Sequence, residues 1–288
     1  MTTVAELKQR PCLRGGRSHW VSGLVAVVLT FAAGSPVAEN ADARWQEIRA
    51  SLFGNRSIED GATVLGLDTP YRAQDAAIVP VTIESKLDQT PAHFIKQLYL
   101  IIDNNPSPVA AVFHFPGTHD WDALSTRVRV NAYTDLRVIA ETSDGKLYMT
   151  SNFVKAAGGC SAPPLKDPGA AAASLGKMKL KIPQSPKLGS PVLAQLLIKH
   201  PNSSGLQFDQ ISRQYIPPDF IRTIEVRYND EVVFTVDSDI SISEDPSIRF
   251  SFVPQEKGAM QVRVKDSKGR LFDHSFELSG ANTTGDSG

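Results

Sequence analysis

The sequence KAAGGCSAPP, residues 155–164, divides the chain into two halves that are both rich in predicted strands. Two adjacent glycines precede Cys160 and free the backbone from the steric limits that a Cβ atom imposes. Two prolines follow shortly after it, and neither has the amide hydrogen that a helix interior or a central strand requires. The pattern therefore predicts that Cys160 lies on an accessible arm, with Gly158 and Gly159 supplying the flexibility.

The first half of the chain combines one helical pattern with a series of strand patterns. The apolar residues Trp45, Ile48, Leu52 and Phe53 fall at helical spacing, so we expect a short amphipathic helix over residues 44–53 that packs on the first half. Six β-rich segments follow, which predict strands at residues 78–85, 95–103, 109–115, 126–133, 136–142 and 146–154. Regularly spaced antiparallel strands are typical of an immunoglobulin-like β-sandwich.

The second half repeats this organisation after a change in composition. Residues 161–176 are rich in proline and alanine without periodicity, which predicts an interdomain linker. Seven further strands are predicted at residues 178–182, 191–199, 221–228, 231–236, 247–253, 258–265 and 271–277. We therefore expect an all-β protein with two immunoglobulin-like antiparallel β-sandwich domains, residues 44–160 and 177–278. The small polar residues 279–288 predict a disordered tail.

The N-terminal residues have the pattern of an export signal. Four basic residues precede the apolar stretch WVSGLVAVVLTFAA at residues 20–33, which is short for a membrane-spanning helix. We expect residues 1–38 to be a signal peptide, cleaved between residues 38 and 43, which implies a periplasmic protein without membrane attachment after cleavage. An uncleaved anchor is the alternative. Cleavage leaves a net charge of about −4, which disfavours a nucleic-acid partner.

Cysteine usage directs attention back to Cys160. Cys12 would leave with the signal peptide, so Cys160 would be the one cysteine of the mature protein. An unpaired cysteine in an oxidising compartment is either a reactive thiol or a partner in an intermolecular disulfide. A buried structural cysteine is the alternative, and the flanking glycines and prolines argue against it. The nearest basic residue in sequence is Lys155, so the local sequence shows no clear means of activating the thiol.

Other chemistry-bearing residues give weaker signals. His114, His119, Asp120 and Asp122 cluster in the stretch HFPGTHDWD, but their spacing matches no recognised metal site. His200 precedes a proline at a strand end, which favours a structural role. The sequence contains no catalytic triad order, phosphate loop or nucleotide-binding fingerprint. We therefore predict no metal, no cofactor and no enzymatic activity.

Longer stretches resemble a known family of carrier proteins. DLR at residues 135–137, SDGKLY at 143–148 and VKAAGGC at 154–160 resemble the C-terminal half of SoxY, the sulfur-compound carrier of bacterial sulfur oxidation. The second half resembles its partner SoxZ in IKHP at 198–201, YIP at 215–217 and NDEVVF at 229–234. Both halves in one chain resemble the fused SoxYZ-like carriers associated with quinoprotein (PQQ) alcohol dehydrogenases.

The resemblance implies a role for Cys160 and a set of partners. In the family the cysteine follows a pair of glycines and carries sulfur intermediates covalently, so Cys160 would bind a small sulfur-containing or thiol-reactive group. A quinoprotein dehydrogenase or a c-type cytochrome would be the protein partner. Here the chain continues past the cysteine, so the arm is tethered at both ends. An accessory module in which Cys160 is incidental is the main alternative, and an enzyme with Cys160 as nucleophile is a weaker one.

Overall fold

The computed structural model describes residues 36–117, 121–165, 168–183 and 187–278. Most of the predicted signal peptide, the predicted tail, and residues His119 and Asp120 lie outside these ranges. Among the helices in these ranges, none combines the length and the apolar character needed to span a membrane.

The first half contains one helix and eight strands. The elements are α1 (Pro36–Phe53), β1 (Ile58–Asp60), β2 (Leu65–Asp68), β3 (Val79–Ser85), β4 (Ile95–Ile102), β5 (Val109–His114), β6 (Ala123–Val128), β7 (Thr134–Thr142) and β8 (Leu147–Val154). Helix α1 is longer than the predicted helix, and β1 and β2 are short strands that the sequence patterns did not predict.

The second half begins with a short helix inside the predicted linker. The elements are α2 (Pro168–Ser174), β9 (Met178–Lys181), β10 (Val192–Ile198), β11 (Phe208–Asp209), β12 (Gln214–Tyr215), β13 (Ile221–Tyr228), β14 (Glu231–Ser238), β15 (Ser247–Phe252), β16 (Ala259–Asp266) and β17 (Leu271–Glu277). The small hairpin β11–β12 was not predicted, whereas β13 and β17 have the predicted bounds.

The all-β prediction is confirmed, and the two halves share their sheets. One nine-stranded sheet has the order β1-β8-β7-β4-β5-β14-β13-β16-β17, and a six-stranded sheet has the order β2-β3-β6-β15-β10-β9. The halves meet at two antiparallel pairs, β5 with β14 and β6 with β15. Two sandwiches are therefore joined edge to edge into one continuous pair of sheets.

The core runs across the junction between the halves. One hydrophobic cluster contains residues of both sheets and both halves. Phe113 of β5 lies 6.5 Å from Phe234 of β14, and Phe234 lies 4.9 Å from Phe250 of β15, measured between ring centroids. Aromatic side chains bury large areas, so these contacts stabilise the junction as a domain core would.

Helix α1 covers the outer face of the first half's part of the nine-stranded sheet. Its apolar residues Trp45, Ile48 and Phe53 form a second buried cluster with strand residues that include Ile101 and Ile139. The predicted packing of this helix on the first half is confirmed for these three residues, whereas Leu52 is exposed.

One predicted strand ends early at the junction. The alternating pattern of residues 126–133 predicts a strand to Tyr133, but β6 ends at Val128. The next two amides hydrogen-bond outside the ladder, Arg129 N to Ser241 O at 2.7 Å and Val130 N to Ala76 O at 2.8 Å. These bonds turn the chain inward. Arg129 is therefore buried, whereas the alternating pattern would place its side chain in solvent.

Candidate functional site

Cys160 lies at the junction of the two halves and is fully buried, with a relative exposure of 0%. The predicted accessible arm is therefore wrong. Residues 158–165, which we call the cysteine segment, fold back onto the first half. Gly158 N donates to Asn131 O and Gly159 N donates to Val130 O, both at 2.9 Å.

In this conformation the two glycines serve packing and backbone conformation, and their predicted flexibility stays a prediction. Gly158 has a φ of 80°, which side-chain-bearing residues rarely adopt. A Cβ atom on Gly159 would lie 2.0 Å from Ala76 O and 2.7 Å from Val130 O. Only glycine allows this close approach of two backbone segments.

The second half holds the cysteine segment from the other side. The Ser204 hydroxyl donates to the carbonyl oxygen of Cys160. Gln207 Nε2 donates to Ala162 O at 3.0 Å, and Leu165 N donates to Glu244 Oε2 at 2.8 Å. The cysteine segment is thus a hydrogen-bonded strip between the two halves, and the thiol faces no solvent in this conformation.

Arg129 is a buried cation that hydrogen-bonds to this strip. Its side chain is among the largest that are fully buried, at 1% exposure. Nη1 donates to Gly159 O at 3.3 Å and Nη2 donates to Asn202 O at 3.4 Å, while the buried Nε has no hydrogen-bond partner. Asn105 fixes the backbone of Arg129 by donating to its carbonyl oxygen at 2.7 Å. We call Arg129, Cys160, Asn202 and Ser204 the cysteine cluster.

Burial and charge act in opposite directions on the thiol. Burial raises the pKa of Cys160 to about 11, and the nearby Arg129 guanidinium lowers it by a smaller amount. Burial also lowers the pKa of Arg129, while the negative charges of Glu244, Asp75 and the ionised form of Cys160 raise it. The thiol is therefore protonated at neutral pH in this conformation. Because the thiolate is the nucleophile, the closed protein has little reactivity at Cys160.

A second buried polar cluster lies next to the first. His200 Nδ1 accepts a hydrogen bond from Asn202 N at 3.1 Å, so the proton of the neutral ring is on Nε2. Nε2 lies 3.5 Å from Asp266 and 3.7 Å from Asp219. Both carboxylates pair with Arg270, and Asp219 also pairs with Lys268 at 2.9 Å. We call these five residues (His200, Asp219, Asp266, Lys268 and Arg270) the histidine cluster.

The histidine cluster has donor atoms suited to a metal ion, since one ligand atom of each of His200, Asp219 and Asp266 lies within 4.8 Å of the others. The cations of Arg270 and Lys268 already neutralise the two carboxylates. A divalent ion would have to displace them, so we interpret the cluster as a structural charge network. Burial lowers the pKa of His200, which keeps the ring neutral. This agrees with the structural role predicted for His200.

His114 and Asp122, the described titratable residues of HFPGTHDWD, have hydrogen-bond partners outside this stretch. The ring of His114 forms two hydrogen bonds. Its Nε2 lies 2.8 Å from Asp237 Oδ2, and its Nδ1 lies 2.9 Å from Gln97 Nε2. The backbone amide of Asp122 donates a hydrogen bond to Ser251 Oγ at 2.7 Å. The structure therefore pairs His114 with partners outside this stretch.

Several residues of the site escaped the sequence patterns. Arg129 was assigned to an exposed strand face by alternation, and Ser204 and Gln207 lie in a loop with no recognised motif. A signal was present only for Asn105, because the sequence Asn104-Asn105-Pro106 is typical of a turn between two strands. Its side chain bridges the halves by donating to Ser241 Oγ at 2.9 Å.

Comparison with solved structures gives weak likenesses. The sulfur carrier protein SoxY from Chlorobium limicola f thiosulfatophilum is 22% identical, with a TM-score of 0.34, and the match covers 41% of this chain and 96% of that one. A superoxide reductase (neelaredoxin) from Ignicoccus hospitalis is 13% identical, with a TM-score of 0.27, over 39% of this chain and 86% of that one. At these scores the likenesses carry no functional information. No curated protein matches the chain.

Family models give a stronger result. The model of the sulfur oxidation protein SoxY matches residues 49–160, and that of the sulphur oxidation protein SoxZ matches residues 178–277. The two matches follow one another and together cover most of the chain. The SoxY match ends at the buried cysteine itself. The chain therefore belongs to the SoxY and SoxZ families of sulfur oxidation proteins, with both family regions fused in one polypeptide.

Proposed function

We propose that this chain is a periplasmic SoxYZ-like carrier that binds a small sulfur-containing group covalently through Cys160. The observation that carries the proposal is the position of Cys160 at the last residue of the SoxY match, where the SoxZ region covers it. The family gives the class of function, that of carrier proteins without catalytic activity of their own. The identification of Cys160 as the loading site is our inference.

Loading of Cys160 requires the cysteine segment to open, because the thiol is inaccessible in the closed conformation. The contacts to be broken on the side of the second half are three hydrogen bonds, from Ser204, from Gln207 and to Glu244. The bonds from Ser204 and Gln207 join neutral groups and contribute about 1 kcal/mol each, whereas the bond to the Glu244 carboxylate contributes about 2 kcal/mol, so transient opening is accessible. The closed state would then protect a bound group from water and from other thiols.

An exposed hairpin supports the involvement of partner proteins. The β11–β12 hairpin follows Gln207 directly and exposes Phe208 at 44%, Ile211 at 95% and Tyr215 at 68%. Clustered apolar side chains on a surface commonly mark protein interaction sites. A partner that binds this hairpin would lie next to the residues that hold the cysteine segment closed. We propose a quinoprotein (PQQ) alcohol dehydrogenase, a c-type cytochrome or another sulfur oxidation protein as that partner.

Intact mass spectrometry tests the carrier function directly. The protein would be purified without reductant from the periplasm of its native cells, grown with a reduced sulfur compound. We expect a mass increase that corresponds to a sulfur-containing group, mapped to Cys160 and absent in Cys160→Ser. Fractionation of the same cells tests localisation. Recovery of the protein from the cytoplasm with residues 1–38 intact would contradict the proposal that it is periplasmic. An unmodified Cys160 under all such growth conditions would reject the carrier function.

The second candidate function is a non-covalent accessory module for a quinoprotein dehydrogenase, in which Cys160 is structural. The full burial of the thiol and its raised pKa favour this alternative. It predicts that dehydrogenase-dependent growth is lost when the chain is deleted and is restored fully by the Cys160→Ser variant. The carrier function predicts that Cys160→Ser fails to restore it.

A further inference from the structure

Arg129 is a buried cation without a matching anion. Within the described residues it forms no ion pair, and its two hydrogen bonds go to backbone carbonyls at 3.3 and 3.4 Å, the long end of the usual range. Its Nε is buried and unpartnered. A buried guanidinium is normally paired with a carboxylate, because removing an uncompensated charge from water costs free energy. This arrangement therefore leaves room for an anion that forms only in some states of the protein.

The nearby carboxylates do not supply that anion by direct contact. Asp75 Oδ1 accepts a hydrogen bond from Ala77 N at 2.7 Å, and Glu244 Oε2 accepts one from Leu165 N at 2.8 Å. Both residues lie close enough to influence Arg129 electrostatically, and so does the sulfur of Cys160 once it is ionised. Cys160 follows directly after the residue whose carbonyl Arg129 binds. The sulfur is thus the group best placed to become the missing anion.

We propose that Arg129 is a positioning residue for the Cys160 sulfur. Its charge stabilises the anionic form of the sulfur and attracts negatively charged reagents towards it. The proposal rests on Cys160 being the loading site. When the thiol ionises, the proton leaves to solvent and the new negative charge faces the guanidinium. The same charge would favour an anionic reagent over a neutral one of equal size during attack by the thiolate.

Two reagents of similar size and different charge test this role. Iodoacetate is anionic and iodoacetamide is neutral. Each alkylates the thiolate, so a sulfur–carbon bond forms as the carbon–iodine bond breaks and iodide leaves. Both rates would be measured on the folded, full-length chain by quantifying the modified peptide that contains Cys160. Opening of the cysteine segment affects both reagents equally, so the ratio of the two rates reports the charge near the sulfur and cancels the opening frequency.

Three variants are compared with the unmodified chain. We expect the ratio of iodoacetate rate to iodoacetamide rate to fall by about fivefold or more in Arg129→Met and Arg129→Gln. Arg129→Lys, which retains the charge, should keep most of the ratio. The pH at which the iodoacetamide rate levels off should also rise in the two neutral variants. An unchanged ratio and pH profile in Arg129→Met and Arg129→Gln would overturn the proposal.

A measurement on the unmodified chain covers the case in which the neutral variants do not fold. The rate ratio is then compared between the folded chain and the same chain unfolded in urea. We expect a higher ratio in the folded chain, and an equal or lower one would overturn the proposal. The outcome is independent of the carrier test, because a sulfur adduct on Cys160 could be found whether or not Arg129 has this effect.

Discussion

The cysteine cluster and the histidine cluster are neighbours joined through Asn202, yet their charges are arranged in opposite ways. In the histidine cluster two carboxylates face two cations, and His200 stays neutral between them. In the cysteine cluster the single cation, Arg129, binds only backbone carbonyls. Balanced charges of the first kind hold a structure together. A lone buried cation beside a titratable sulfur instead fits the role that we propose for Arg129.

The largest expected effect is the difference in stability between variants of Arg270 and of Arg129. Arg270→Met would leave Asp219 and Asp266 beside each other without their shared partner, so we expect a loss of about 3 kcal/mol in the free energy of unfolding. Arg129→Met removes an unpaired buried charge and should cost much less. Urea unfolding of both variants measures the difference. Equal losses would mean that Arg129 is as structural as Arg270.

The next effect concerns the two glycines of the cysteine segment. Gly159→Ala places a methyl group against Ala76 O and Val130 O, so we expect a loss of about 2 kcal/mol in stability and easier labelling of Cys160. Gly158→Ala is the matched control, since nothing lies within 4 Å of its Cβ position and only the positive φ opposes the substitution. That strain costs about 1 kcal/mol. A larger loss in Gly158→Ala would contradict the packing assigned to Gly159.

Smaller effects are expected from the residues that close the cysteine segment. Ser204→Ala and Gln207→Ala each remove one hydrogen bond to this segment, worth about 1 kcal/mol. If Cys160 is labelled through transient opening, each variant should speed its reaction with iodoacetamide by about fivefold. Gln210→Ala, on the exposed hairpin turn, is the control and should leave the rate unchanged. Equal labelling rates in Ser204→Ala, Gln207→Ala and Gln210→Ala would show that opening does not involve these bonds.

The smallest expected effect is a pH dependence that belongs to the histidine cluster. Burial lowers the pKa of His200 in the folded state below its value of 6.5 in the unfolded chain. The unfolded chain then binds the extra proton first, so stability is full above pH 6.5 and decreases as the pH falls below it. Between pH 7.5 and 5.5 we expect a loss of up to about 1 kcal/mol. Urea unfolding of His200→Asn should show a flatter pH profile, and an identical slope would assign the loss to other groups.

Strand positions were predictable from the sequence because their signals are local. Alternating apolar residues and tight turns define β13 and β17, and the observed bounds agree with the predicted ones. The two-residue strands of the β11–β12 hairpin carry no such periodicity. Pairing between β5 and β14 across the halves was also beyond local patterns, since it depends on which sheet edges meet.

The candidate site was predictable only as far as the identity of Cys160. Glycine and proline around it indicate a loop, and a loop is exposed unless another part of the chain covers it. Here Ser204 and Gln207, more than forty positions away, provide that cover. Arg129 was hidden for a related reason, because the hydrogen bond from its amide to Ser241 removes it from the strand pattern. Both features result from contacts between the halves.

The shared sheets have a further consequence for how the two halves stay together. Separated halves would each expose two unpaired strand edges, those of β5 and β6 in the first half and those of β14 and β15 in the second, and such edges favour aggregation. In a single polypeptide the encounter of these edges is intramolecular, so it does not weaken when the protein is diluted. The cover over Cys160 is thereby independent of protein concentration.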